Sequence, residues 1–428
     1  MGITLFAFEN LAVVTIAPLI AADLQGLELY GWVFSGFLLA SLLGIVMAGE
    51  WADKKGPELP MFLGLLIFAA GLSLSAIAST MLVFILGRVL QGLGGGAMTV
   101  ALYVAVNLAY PDTLRPRMVA LMSSAWVVPA LLGPALAGFL AEVFNWRIVF
   151  WGMLPLLLVV MLLTATSFRS LRRNLALKQS RTPMALVLVV STAVFIISLS
   201  LGNPWLSLLL VVGSFSIALL SLKSLLPSGV LSLQAGLPST IATRGLVFAA
   251  FIGVEVLLAL MLTSVHGVSA AMAGIVIAAG TISWTAGSWL QDRLDKRQSR
   301  EGRIMIGALL MALASALMLP VLFSSSFVLF FASVVWLLAG LGIGLAHATS
   351  SVLAFSLAPQ GEEGLVSSAL QLGDQFMAAV SAGVAGALLG LATMQGHSEQ
   401  TGIAWAFIFA VAMGIFSIVA AGRIRSRA

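Results

Sequence analysis

The stretch FAFENLAVVT, residues 6–15, holds the pattern that decides the fold of this chain: an apolar run interrupted by one carboxylate, that of Glu9. It continues into IAPLIAADL (residues 16–24), and an apolar run of about 20 residues is long enough to cross a bilayer as a helix. The rest of the chain has the same character, since 61% of its 428 residues are hydrophobic and 9% are charged. Soluble domains carry about 25% charged residues. The sequence therefore predicts an all-α integral membrane protein.

Fourteen apolar segments follow one another in an arrangement of six, two and six. They lie at about 3–22, 30–49, 60–78, 81–108, 118–141, 148–168, 184–201, 204–222, 241–263, 270–290, 303–323, 327–354, 365–393 and 401–422. Paired groups of six helices are typical of transporters built from repeats. The predicted domains are an N-terminal six-helix bundle (1–168), a cytoplasmic linker (169–183), an extra transmembrane hairpin (184–226) and a C-terminal six-helix bundle (227–428).

The distribution of basic residues predicts the orientation of these segments. With the N terminus in the cytoplasm, 18 of the 21 lysines and arginines fall in cytoplasmic loops or the C-terminal tail. Of the other three, Arg88 lies within a segment, Arg244 lies at the cytoplasmic start of one, and Arg147 lies on the outer side. Cytoplasmic loops of membrane proteins carry such an excess. We therefore expect a multi-pass protein of the cell membrane, with both termini cytoplasmic, and not a nucleic-acid-binding protein.

The loop after the second segment reads GEWADKKGPELP (residues 49–60). Its Gly49, Asp53, Lys54 and Gly56 resemble the G-x-x-x-D-[RK]-x-G loop of the major facilitator superfamily. Glycine permits a tight turn after a helix, and an aspartate there can cap the next turn or pair with cations of a neighbouring loop. The resemblance implies a major facilitator fold of two six-helix bundles, here with a central two-helix hairpin.

The fourth segment contains ILGRVLQGLGGGAM (residues 85–98), which is similar to the R-x-x-Q-G-x-G element of the same superfamily. Arg88 is a permanent charge inside a predicted span, which is rare and costly. Gln91 lies one turn further on, and Gly92 and Gly96 form a G-x-x-x-G pair suited to close helix packing. Arg88 is expected either to take part in transport or to fix the packing through backbone carbonyls.

The fifth segment and the loop after it carry two further elements. WVVPALLGPALAGFLAE (residues 126–142) resembles the G-P-x-x-x-G antiporter motif through Gly133, Pro134 and Gly138, although Pro129 and Ala137 stand where that family usually has glycine. A proline kinks a helix, and glycine allows close contact with a partner helix. NWRIVFWGMLP (residues 145–155) looks like an element of fourteen-helix drug:proton antiporters, and its Arg147 is expected to hold the loop through carbonyls or Glu142.

The opening stretch is also similar to the first helix of that family, with Glu9 where the family has aspartate and with Pro18 and Asp23 in their places. Together these resemblances cover about the first 155 residues, and the second half resembles the family in topology and in glycines such as those of GLGIGL (340–345).

Ionisable residues inside predicted spans are candidate functional residues. Four are singled out for proton and substrate coupling: Glu9, Arg88, Glu255 and Asp374. A buried carboxylate resists ionisation, so it can take up a proton on one side and release it on the other, and a cationic substrate can compete for the same charge. Of the two glutamates, Glu9 is expected to matter more because its position matches the family's acidic residue.

Three alternative interpretations of these residues remain open at this point. Glu9 could reach the cytoplasmic surface as an interfacial residue. Asp374 could form a structural latch with Gln371 or Arg88, and His347 is expected to be a packed residue and not a proton relay.

These observations predict a secondary active transporter that exports amphipathic or cationic drug-like compounds in exchange for protons, by alternating access. One alternative is an exporter of a lipid or another endogenous amphiphile, which would share every motif. A membrane-embedded lipid-modifying enzyme is a distant alternative, because the sequence has no aspartate-rich diphosphate motif, no H-E-x-x-H and no G-x-S-x-G. The chain has no cysteine, which excludes thiol catalysis and cysteine-bound metals. We expect no cofactor beyond a proton gradient, membrane lipids as surroundings, and a monomer.

Overall fold

The computed structural model describes residues 2–111, 114, 118, 121–122, 124–167, 180–294, 298–324, 326–359 and 362–424. Within these ranges the chain forms fourteen α-helices of 17 to 32 residues. They are α1 (Gly2–Asp23), α2 (Trp32–Lys55), α3 (Glu58–Ala76), α4 (Met81–Ala109), α5 (Val127–Val143), α6 (Arg147–Ser167), α7 (Thr182–Ser198), α8 (Pro204–Leu225), α9 (Leu237–Leu260), α10 (Ala270–Leu294), α11 (Arg300–Phe323), α12 (Val328–Ser356), α13 (Glu363–Met394) and α14 (Glu399–Gly422).

The prediction of an all-helical membrane protein is confirmed. In the described part of the chain, twelve helices are long and apolar enough to cross a membrane, and the 17-residue helices α5 and α7 are shorter apolar ones. Each predicted apolar segment overlaps one helix, and the largest difference is at the fifth segment, predicted at 118–141 and found as α5 at Val127–Val143. The predicted linker 169–183 lies outside the described residues except for 180–183, so the domain boundaries stay a prediction.

Several helix starts are marked by side chains that satisfy backbone N–H groups left free by the helix. The side-chain oxygen of Asn203 accepts hydrogen bonds from the N–H groups of Trp205 (3.1 Å) and Leu206 (3.2 Å) at the start of α8, where Pro204 occupies the first helical position. Thr80 caps α4 in the same way. Such caps supply partners for N–H groups that have none within the helix, and so mark where each helix begins.

Glycines let the second and fourth helices of each group of six pack backbone to backbone. A Cβ added to Gly92 or Gly96 of α4 would overlap the carbonyls of Phe37 or Ser41 in α2. In the second group, a Cβ on Gly344 of α12 would overlap the carbonyl of Trp284 in α10. Helices without large side chains at the contact come close enough for dispersion forces to hold them. The predicted packing role of Gly92 and Gly96 is thus found in the structure, and α10 and α12 repeat it.

The two groups of six helices meet mainly through α2 against α13 and α5 against α10. Gly31 at the start of α2 faces Gly386 near the end of α13, so closely that a Cβ on Gly31 would lie 2.5 Å from the Cα of Gly386. A Cβ on Gly138 of α5 would lie 2.6 Å from the carbonyl oxygen of Ala270 at the start of α10. Both contacts lie toward the face of the bundle opposite to the one that carries residues 2 and 424.

The two helices α7 and α8 form the hairpin predicted between the groups of six. The carboxylate of Glu50, near the end of α2, accepts hydrogen bonds from the Ser180 hydroxyl (2.8 Å) and from the backbone N–H groups of Arg181 (2.5 Å) and Thr182 (2.9 Å). Glu50 therefore caps α7 from another helix, a position in which a negative charge is stabilised by the helix dipole. α7 then packs against α2 and α13, while α8 packs chiefly against α7.

Candidate functional site

A buried ion pair joins α1 to α4 in the first half. The guanidinium of Arg88 donates to Glu9 Oε1 through Nη1, and these two side chains are only 2% and 1% exposed. Nη1 also donates to Gln91 Oε1 (2.5 Å), and Nε donates to the carbonyl of Val33 in α2 (3.1 Å). The interpretation of Glu9 as an interfacial residue that reaches the surface is wrong, because Arg88 holds it inside the bundle.

The same arginine ties together four helices. Its guanidinium carbon lies 4.3 Å from the centre of the Phe37 ring on α2, and Gln91 Nε2 donates to the Ser75 hydroxyl of α3 (2.9 Å). A charge at this depth is stable only when its hydrogen-bond capacity is met by protein groups. Arg88 therefore acts as a packing centre for α1 to α4. In the described part of the chain, only Glu9 Oε2 is left without a partner in this group.

The second half holds a different cluster, built from α9, α12 and α13. Arg244 donates to both carboxylate oxygens of Asp374, through Nε (3.1 and 2.9 Å) and through Nη2 (2.6 Å), and also donates to the Ser351 hydroxyl through Nη1. His347 Nε2 lies 3.1 Å from Asp374 Oδ2. The side chains of Arg244, Asp374 and His347 are 10%, 11% and 20% exposed, so the histidine is the least buried member of the cluster.

Two aromatic rings lie directly beside this cluster, next to the imidazole of His347. The rings of Phe248 and Trp284 are 6.1 Å apart, and each packs against the imidazole of His347, at 5.8 and 5.6 Å between ring centres. All three side chains are half-buried. One ring nitrogen of His347 therefore contacts the Asp374 carboxylate, and the rest of the ring packs against Phe248 and Trp284.

Glu255 lies on the same face of α9 as this cluster. It follows Arg244 by eleven residues and Phe248 by seven, and both spacings return to one side of a helix with 3.6 residues per turn. Glu255 is half-buried and has no hydrogen-bond partner or counter-charge among the described residues. A carboxylate so placed is stable when it is protonated or when it faces a cation.

The alternative in which Asp374 forms a latch with Gln371 or Arg88 is wrong. Asp374 does not pair with Arg88, which is bonded to Glu9, nor with Gln371, whose amide donates to Ser367 (3.5 Å). Its partners are Arg244, which the sequence places at a span boundary, and His347, which it suggests is merely packed. The spacing of Arg244 and Glu255 places both on one face of α9 and could have indicated a functional surface there. No pattern in the sequence indicates that α12 and α13 pack against that face.

The loop after α2 has the local structure that its glycine suggests. α2 ends at Lys55, and Gly56 follows with φ +87° while its N–H donates to the carbonyl of Ala52 (2.9 Å). That backbone conformation favours glycine. Gly49 has open space around it, with the nearest side-chain atom 4.0 Å from a Cβ built there, so its role is not tight packing.

Arg147 joins three helix ends at the face opposite to the termini. Its guanidinium donates to Asp23 Oδ2 (2.8 Å) at the end of α1 and to the carbonyl of Ala78 (2.8 Å) before α4, and it lies over the indole ring of Trp146. The expected bond to a carbonyl is present. The alternative partner, Glu142, instead accepts a hydrogen bond from the N–H of Ala270.

The sequence profile of the Major Facilitator Superfamily matches residues 1–382. The chain belongs to the Major Facilitator Superfamily. It is therefore a transporter-family protein of the membrane and not an enzyme, and the all-helical major facilitator fold expected from the motifs is found.

Relatives with drug-efflux names are similar to parts of this major facilitator chain. It is 31% identical over 160 residues to "Probable multidrug-efflux transporter Rv1634" of Mycobacterium tuberculosis, covering 37% of this chain and 34% of that one. It is 24% identical over 328 residues to "Multidrug resistance protein 3" of Bacillus subtilis, covering 72% and 62%. The alignments thus span from about a third to three-fifths of these relatives' lengths.

Solved structures agree in fold over nearly the whole chain. A D-xylose–proton symporter superimposes with a TM-score of 0.70 at 15% identity, covering 99% of this chain and 96% of the other. An auto-inhibited peptide transporter of the POT family gives a TM-score of 0.68 at 14% identity, with the same coverage. At such identities the likeness concerns the fold alone.

Proposed function

We propose that this protein is a secondary active exporter that exchanges protons for amphipathic, cationic drug-like compounds by alternating access. The observation that carries the proposal is Glu255, a half-buried carboxylate without a partner in the described part of the chain. It lies in the middle of an apolar helix, where a bare charge is costly and where protonation or a bound cation removes the cost. The drug-efflux names of the relatives support the substrate class.

The second half carries the exchange in this proposal, and the first half supplies a rigid frame. The Glu9–Arg88 pair is sealed from water, so proton uptake at Glu9 would leave a buried arginine without its counter-charge. Glu255 is half-buried and has no counter-charge among the described residues, and Asp374 lies beside a histidine that can titrate, so we assign the proton exchange to these residues. This reverses the order expected from the sequence, in which Glu9 ranked first.

Alternating access requires the two halves to separate where they now touch. In the proposal, Gly138 and Pro134 of α5 form one such contact with α10, and Gly31 of α2 forms the other with α13. The last turn of α2, with Asp53 and Lys54, and Gly56 after it would act at the cytoplasmic face when the opposite side opens. Changing Asp53 to Ala is expected to slow transport in reconstituted vesicles while leaving the protein in the membrane.

The proposed placement is the cell membrane, with fourteen spans and both termini in the cytoplasm. At 17 residues, α7 rises about 25 Å, close to the thickness of the hydrocarbon core. Tags near residues 175 and 297 are expected to report cytoplasm and a tag at residue 203 the outside. A cytoplasmic signal at 203 would exclude the fourteen-span arrangement. Protons and membrane lipids are the proposed partners of a monomer.

The test is transport by purified protein in vesicles with an imposed pH gradient. Wild type is expected to concentrate a lipophilic cation against its gradient, and Glu255→Gln is expected to lose this accumulation, because the amide cannot release a proton. Glu58→Gln, at an exposed position at the start of α3, is the matched control. Transport of a fluorescent phospholipid but of no cation would favour the lipid-exporter alternative. No pH-driven movement of either cargo would contradict the proposal.

A further inference from the structure

We propose that His347 is the residue at which substrate and proton exclude each other, so that a cation resting on the Phe248 and Trp284 rings displaces a proton from the imidazole. This rests on the proposed function and deepens it by naming the site and the substrate class, a monovalent cation with aromatic groups. Of the three histidines in the sequence, His347 is the one inside a predicted span, but the sequence does not show which residues surround it.

The position of the ring carries the argument. His347 Nε2 is 3.1 Å from Asp374 Oδ2, while the same ring lies 5.8 Å from Phe248 and 5.6 Å from Trp284 between centres. Aromatic faces attract cations and stack on aromatic groups. One imidazole thus contacts both the surface suited to the substrate and the carboxylate that stabilises its charged form.

The charges around the imidazole make the two cations mutually exclusive. Arg244 and Asp374 cancel each other, so the cluster carries one surplus positive charge when His347 is protonated. A substrate cation brings one positive charge of its own. Holding both at once would place two unpaired positive charges about 6 Å apart, and at an effective dielectric constant near 20 this repulsion corresponds to roughly two pH units of proton affinity.

The helices packed against α12 bring few other charges to this ring. α9 contributes Arg244, with Glu255 about 16 Å further along that helix, and α13 contributes Asp374. α10 faces the ring with Trp284. On α11, Arg303 donates to the carbonyl of Gln291, and α12 itself contributes the Ser351 hydroxyl, which is bonded to Arg244.

The proton balance of the cycle follows from this geometry. A cation that enters from the cytoplasmic side takes its place on the rings, the N–H proton of the imidazolium leaves to the cytoplasm, and neutral His347 keeps its contact with Asp374. When the cavity faces outward, a proton from outside returns to the imidazole and the cation leaves. Each cation exported through this step brings one proton in.

The experiment measures proton release when tetraphenylphosphonium binds to the purified full-length protein in weakly buffered detergent. Wild type is expected to release protons on binding, and His347→Gln is expected to release about one proton fewer per bound cation. Glutamine can still donate to Asp374, so the cluster keeps its packing. His397→Gln, at the turn before α14, is the matched control and is expected to behave as wild type.

A second measurement follows the imidazole itself. With three histidines in the chain, ¹³C-labelled histidine gives three ring signals, and the one missing from His347→Gln is assigned to His347. Its titration midpoint is expected to fall by roughly two pH units when tetraphenylphosphonium is saturating. Trp284→Ala is expected to weaken binding roughly tenfold, and Trp284→Phe to retain most of it.

Two results would overturn the inference: equal proton release by wild type and His347→Gln, or a His347 signal whose titration ignores the ligand. Either result would show that His347 is only a packed residue. The proposed pH-driven export is measured separately in vesicles and would not be affected by it. If wild type itself failed to export against a gradient, the proposed function would fall instead.

Discussion

In the first half Arg88 and Glu9 are 2% and 1% exposed, whereas in the second half Arg244 and Asp374 retain 10% and 11% of their side-chain exposure. Both pairs join an arginine to a carboxylate across two helices. The first is completed by an amide and a backbone carbonyl, which do not titrate, and the second by a histidine, which does. In our proposal the first pair serves packing and the second takes part in proton exchange, because only the second contacts a side chain that titrates near neutral pH.

The largest expected effect is on stability, and it tests the structural role of the first pair. Arg88→Met leaves Glu9 buried without a counter-charge, and breaking a buried pair from one side costs about 3–5 kcal/mol. We expect a marked fall in the thermal unfolding temperature in detergent. Arg244→Met is expected to cost less, because His347 remains within hydrogen-bond distance of Asp374. Equal losses from the two variants would remove the contrast between the halves.

The double variant Glu9→Gln with Arg88→Met sharpens the same point. Removing both charges avoids leaving either one buried alone, so stability is expected to recover part of what Arg88→Met loses. A loss in the double variant equal to the sum of the two single losses would show that the two side chains act independently.

The next effect concerns transport and compares carboxylates in the two halves. Glu255→Gln is expected to abolish pH-driven accumulation in vesicles while leaving the unfolding temperature near that of wild type, since Glu255 has no partner to lose among the described residues. Glu9→Gln is expected to lower the unfolding temperature, because Arg88 loses its counter-charge. If Glu9→Gln kept its stability but lost coupling, the exchange would belong to the first half, as the motif suggests.

A smaller effect tests what the two halves share. Gly92→Val in α4 and Gly344→Val in α12 would each press a side chain into the backbone of the neighbouring helix. Overpacking of this kind costs about 1–3 kcal/mol. Similar losses of unfolding temperature in both variants would show that the halves are equivalent in packing even though they differ in charge. Gly49→Ala, where space is open, is the control.

The smallest effect on stability is expected for the most exposed of the three ion pairs discussed, Asp23 with Arg147. Asp23 and Arg147 are 46% and 30% exposed, and ion pairs in such positions contribute about 0–1 kcal/mol. Asp23→Asn keeps acceptors for Trp146 and Arg147, so it should change the unfolding temperature by little. A loss as large as that of Arg88→Met would contradict the use of burial to rank these pairs.

Much of the fold could be predicted because it depends on local properties of the chain. The length of each apolar segment and capping residues such as Gly56 and Asn203 determine where helices begin and end. These signals act within one segment and do not depend on a partner helix. The glycines of α4 could be predicted as a packing surface for the same reason. The prediction of span length was less accurate at α5 and α7. Both helices are 17 residues long, whereas the predicted segments are 118–141 and 184–201.

The sequence by itself determined that this chain is a helical membrane protein of the Major Facilitator type and that Glu9, Arg88, Glu255 and Asp374 are its unusual charges. Their partners are seen only once the helices are packed: Arg88 pairs with Glu9, Asp374 with Arg244 and His347, and Glu255 with none among the described residues. The reason is physical. Hydropathy and turn signals act between neighbours in the chain, whereas an ion pair between residues 79 or 130 positions apart exists only once the helices pack.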